Sequence, residues 1–83
     1  MGRADRLKEV YEYVRKRFPI HTQYDFAERL KYNRAYISSA MHGNEKNLTD
    51  KLFTNICEAF PGVFDLDYLL TGKGSLLTIE EEV

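Results

Sequence analysis

The chain has 83 residues, 43% hydrophobic and 30% charged, with 12 basic and 13 acidic side chains and a net charge of −1. That length holds one modest core and excludes a second domain. Five Gly and two Pro exclude a low-complexity chain, and no apolar run approaches the ~20 residues of a membrane-spanning helix.

The first residues, Met1 to Leu7, carry neither the apolar centre of a signal peptide nor a Ser or Thr at position six for myristoylation. A cytoplasmic location is expected. The single cysteine, Cys57, cannot form an internal disulfide and fits a reducing compartment, where it reads as a small apolar filler.

Leu7, Val10, Tyr11, Val14 and Phe18 recur at helical spacing among charges. They predict an amphipathic first helix from about Ala4 to Arg17, stopped by Pro19. Arg15-Lys16-Arg17 then falls at a solvated helix end, where cations suit the dipole. Thr22 is placed to cap a second helix with Phe26, Ala27 and Leu30 inward. The pattern breaks at Lys31-Tyr32-Asn33. Asn33 caps a third helix, Arg34 to Met41, with Ile37, Ala40 and Met41 inward and Gly43 as its left-handed exit. A polar loop, 43–47, follows. Thr49 caps a fourth helix carrying Leu52, Ile56, Ala59 and Phe60, ended by Pro61-Gly62. Asp65 caps a short fifth, Leu66 to Thr71, before Gly72-Lys73-Gly74. The expected class is all-α with five helices: one domain over 1–74 and a flexible acidic tail over 75–83.

Charge is unevenly distributed. From Arg15 to Lys46 seven basic residues face three acidic ones, a local +4, while Asp50, Glu58, Asp65, Asp67 and Glu80-Glu81-Glu82 hold much of the acid. A local positive face on a neutral protein is compatible with binding a polyanion. The second and third helices are separated by only three residues, and Ala27 is small enough to let them cross closely with Ile37 against it. The third helix is then small or polar outside: Arg34, Ala35, Ser38, Ser39 and His42. Such a face lets a helix sit deep in the DNA major groove.

This stretch resembles the repressor-like helix-turn-helix family, which includes phage lambda repressor and Cro and many bacterial regulators. The resemblance rests on Gln23 opening the second helix, Ala27 four residues on, Ile37 ten further, and Gly43 after the third helix. Phe64 to Gly74 is similar to the last helix and exit turn of phage-repressor-type domains. One departure is Lys31, where the family usually has Gly in a left-handed conformation; a side chain there costs about 1 kcal/mol.

The resemblance implies a five-helix lambda-repressor-like domain that regulates transcription by binding double-stranded DNA, as a weak homodimer on a two-fold operator. Carried over, Gln23 contacts a phosphate, Asn33, Arg34 and Ala35 lie at the reading end of the third helix, and Ser38 and Ser39 face the groove. His42 sits near the DNA backbone, or only helps to end its helix. Lys46 and Asn47 are further phosphate contacts. Phe64, Leu66, Leu69 and Leu70 offer more apolar surface than a short terminal helix needs, and are expected to form the dimer contact.

Other chemistries find little support. The two histidines lack metal-site spacing, Ser75 has no base partner, and no phosphate loop or carboxylate pair is present. No cofactor, metal, small-molecule ligand or enzymatic activity is expected. Tyr24, Tyr32 and Tyr36, interleaved with basic residues, read as packing residues more than as stacking platforms for unpaired bases. The alternative function is a protein-interaction module, such as an antitoxin or a regulator's partner-binding domain, which the near-zero charge suits.

Overall fold

The computed structural model describes residues 2–78 of the chain. These form five helices: α1 (Arg3–Arg17), α2 (Gln23–Leu30), α3 (Arg34–Met41), α4 (Asp50–Ala59) and α5 (Leu66–Thr71). The class is all-α, and none of the helices is long and apolar enough to cross a membrane.

The boundaries follow local chemistry. Asp5 reaches back to the Gly2 amide (3.2 Å) at the start of α1, which begins one residue earlier than the apolar spacing predicts. Phe18, preceding Pro19, is extended (φ −128°, ψ 160°) and ends the helix. The side chains of Thr22, Asn33, Thr49 and Asp65 each accept a first-turn amide of α2 to α5, replacing backbone partners that a helix start lacks.

The core joins all five helices. Leu7, Val10 and Val14 of α1, Phe26 of α2, Ile37 of α3 and Leu52 of α4 are among its fully buried members. α1 packs on α3 and α5, α2 on α3 and α4, and α4 on α5. Ala27 of α2 and Ile37 of α3 are both buried, and the two helices pack on each other. Aromatic pairs thicken the centre: Tyr11 lies 5.4 Å from Phe26, and Phe60 lies 5.0 Å from Phe18 and 5.9 Å from Phe64. Cys57 is half-buried with Sγ facing the Phe64 carbonyl, and burial, with Asp65, pushes its thiol pKa up. A thiol so placed is poorly nucleophilic, consistent with a packing role.

Arg6 is a feature that the apolar pattern conceals. It is 5% exposed and donates from Nε to the Leu69 carbonyl (2.9 Å) and from Nη2 to the Leu70 carbonyl (3.4 Å). A cation from α1 thus satisfies carbonyls at the C-terminal end of α5. Gly72 completes the arrangement: its φ is +82°, and a Cβ there would stand 2.9 Å from Arg6 Nη1. Tyr68 adds a second tie, donating to Glu9 at 2.7 Å; that bond, with burial, raises the phenol pKa.

Two expectations are corrected. The apolar residues assigned to a dimer contact are largely used within the chain: Phe64 and Leu69 are buried in its own core, and only Leu66 and Leu70 are half-buried. The tail does not begin at 75. Asp65 donates its amide to the Leu76 carbonyl (2.9 Å), Phe64 and Leu77 form an isolated antiparallel bridge, and Thr78 donates to the Val63 carbonyl (3.0 Å). This pairing has no periodicity because it involves only three residues, and the expected tail at 79–83 lies outside the described residues.

In the turn between α2 and α3, Lys31 is left-handed, the conformation expected of it. This residue has φ +63° and ψ +35°, and it is the one non-glycine with positive φ among the described residues. Its amide and that of Tyr32 close α2 on the carbonyls of Glu28 (3.0 Å) and Ala27 (2.9 Å). Lys31→Gly should therefore stabilise the domain by up to ~1 kcal/mol, because relief of the left-handed cost exceeds the added freedom of the unfolded chain. Thermal melts check this, and a less stable variant would contradict it.

Candidate nucleic-acid interface

Most of the residues singled out in the sequence lie on α3 and in the segment that follows it, while Gln23 opens α2. Arg34 and Ala35 in its first turn are exposed, Ser38 and Ser39 half-exposed, and His42 exposed at its end. Ile37, Ala40 and Met41 point the other way, into the core. The split follows from the 3.6-residue period. The Arg34 guanidinium makes no ion pair or hydrogen bond among the described residues. Gln23 is half-buried at the first position of α2, with its amide likewise without a hydrogen bond among them.

Other predicted residues are engaged in holding the site together. Asn33 commits its side-chain oxygen to the Tyr36 amide (2.9 Å), so it caps α3. Asn47 donates from Nδ2 to the Tyr36 carbonyl (3.2 Å), while the Tyr36 hydroxyl donates to the Asn47 carbonyl (3.1 Å). These reciprocal bonds tie the loop to α3 and commit the Asn47 amide group internally. Tyr36 also stacks on Tyr32 (4.8 Å, 18°), whose hydroxyl accepts from Asn55 of α4 (2.8 Å). The two rings are thereby occupied as packing residues. Tyr24 is 56% exposed and donates to Glu28 (2.9 Å), a bond that raises its pKa.

His42 lies beyond the last turn of α3, with Nδ1 2.8 Å from the Ser38 carbonyl. A carbonyl oxygen only accepts, so Nδ1 carries the proton of this bond. The residue both helps to close its helix and remains on the outer face. Lys46 is exposed, with its backbone amide held by Asn44 Oδ1 (3.1 Å). The loop is anchored at its far end by the buried Leu48, whose carbonyl accepts from Arg3 Nη1 (2.9 Å), and by the Arg3–Asp50 ion pair (2.8 Å).

No known protein family, characterised protein or solved structure matches this chain. The functional reading therefore rests on the geometry. The site is an outward ridge about two helical turns long, small in cross-section at Ala35, Ser38 and Ser39, with one long cation at its start and Lys46 in the adjoining loop. Among the described residues no cluster of three His, Cys, Asp or Glu is placed to hold a metal ion.

Sequence reasoning missed Asn44. Its Nδ2 donates to Ser39 Oγ (2.9 Å), and its own amide to the Ser39 carbonyl (3.1 Å). An Asn immediately after a Gly-terminated helix was the available signal, since Asn favours such local side-chain bonds.

Proposed function

We propose that the chain is a sequence-specific double-stranded DNA-binding regulator of the repressor-like helix-turn-helix type. In this reading α2 and α3 form the motif and α3 enters the major groove. The observation that carries it is the outward face of α3, where a lone guanidinium at Arg34 precedes a ridge of alanine and serines. The guanidinium can bond guanine O6 and N7 together, while small residues behind it allow the helix axis close to the base edges. The first turn of α2, with Gln23, and the loop carrying Lys46 flank that ridge in sequence and are assigned to phosphates, which fix register without reading bases.

Binding is proposed to involve two copies related by a two-fold axis, with Leu66 and Leu70 as a small contact. The role is recognition, not catalysis.

Selection of bound sequences from a random duplex pool at low salt tests the proposal. The expected result is enrichment of inverted repeats, with half-sites about one helical turn apart. Retention of duplexes without enrichment, or no retention, would overturn it; the latter outcome would favour a protein partner, which the net charge of −1 suits.

A further inference from the structure

The hydrogen bonds around Ser39 bias its hydroxyl. Asn44 Oδ1 accepts the Lys46 amide (3.1 Å), which settles the orientation of the Asn44 side-chain amide and turns its Nδ2 toward Ser39. Nδ2 is only a donor, so Ser39 Oγ accepts at 2.9 Å and one of its lone pairs is occupied. A helical hydroxyl commonly sends its proton to the carbonyl four residues earlier. Thr54 and Thr71 do so, to Asp50 (2.9 Å) and Asp67 (2.7 Å). Ser39 does not: its proton has no acceptor among the described residues.

We infer that Asn44 is a positioning residue that biases the Ser39 hydroxyl toward donating on the α3 face, so that Ser39 favours a base presenting an acceptor in the major groove. The inference rests on the reading of α3 as the groove-entering helix. The acceptors available there are guanine N7 and O6, adenine N7 and thymine O4, whereas cytosine N4 and adenine N6 donate. Without Asn44 the hydroxyl can rotate and serve either kind of base. With it, one of the two lone pairs is already in use while the proton stays free, so an acceptor base opposite Ser39 is favoured over the cytosine amino group.

The experiment measures base preference at every operator position by competition binding at fixed salt, for the unaltered chain, Ser39→Ala, Asn44→Ala and Asn44→Asp. Asn44→Asp is the informative variant. It keeps an oxygen for the Lys46 amide, so the loop is preserved, but replaces the donor facing Ser39 with an acceptor. The Ser39 proton then turns inward and its lone pairs outward.

The expected result is that Ser39→Ala and Asn44→Ala relax preference at the same base pair in each half-site, about two- to tenfold, the range of a single net hydrogen bond. Asn44→Asp should move that pair's preference toward a donor base. Its added negative charge should weaken all sequences alike, which cancels in the ratio. Thermal melts of each variant report loop damage separately. Unchanged preferences in both Asn44 variants, beside a change in Ser39→Ala, would overturn the inference and leave the DNA reading intact. A chain with no base preference at all would overturn both.

Discussion

Arg6→Ala should destabilise the domain by about 2–4 kcal/mol, the largest effect expected from a side chain outside the apolar core. Two charge-assisted bonds to the α5 carbonyls disappear, each of a kind worth about 1.5–3 kcal/mol net. The packed methylene stem goes with them. In a chain of this size each kcal/mol lowers the melting temperature by roughly 4–8 °C. Arg6→Lys should fall between, since an ammonium keeps the charge but not the reach to two successive carbonyls. A loss below ~0.5 kcal/mol in a denaturant titration of the alanine variant would show that α5 closes without the guanidinium.

The second large effect concerns recognition. Arg34→Ala should cost ~1–3 kcal/mol of affinity on the selected site and relax the preference for guanine at one base pair per half-site. Lys46→Ala should instead weaken all sequences equally and reduce the salt slope by about 0.9 for each phosphate that Lys46 neutralises. Titrations against the selected operator and its single-base variants, at several salt concentrations, separate the two behaviours. If Arg34→Ala lowered affinity everywhere and left the base preferences intact, the guanidinium would be a phosphate contact, and specificity would have to come from the serines or from DNA shape.

Much of this architecture was legible because each helix carries its own punctuation. Thr22, Asn33, Thr49 and Asp65 are short acceptors standing before apolar-periodic runs, and each caps the helix predicted from it. Lys31 was legible for a different reason: the resemblance alone pointed to a left-handed residue there. What escaped the sequence are contacts between residues far apart in the chain. Arg6 and Leu69 are 63 positions apart, and an arginine beside Leu7 in an amphipathic helix reads as solvated. The pairing of 76–78 with 63–65 is equally silent, since three residues are too few to show alternation. At the site, the ridge from Arg34 to His42 could be read from helical period alone. The commitment of Asn33 to its cap and of Asn47 to Tyr36 could not, because polar side chains do not announce whether their partner is internal or a ligand.

A helix whose outer face reads a DNA duplex must respond to that duplex first. The most direct measurement is amide chemical-shift mapping of the chain, labelled with nitrogen-15, as the selected duplex is added. The largest changes are expected at Arg34, Ala35, Ser38, Ser39 and His42, with Gln23 and Lys46 beside them and little change on the outer face of α1 at Lys8, Glu12 and Lys16. Changes concentrated on α1 or α5, with α3 unmoved, would contradict this role of α3.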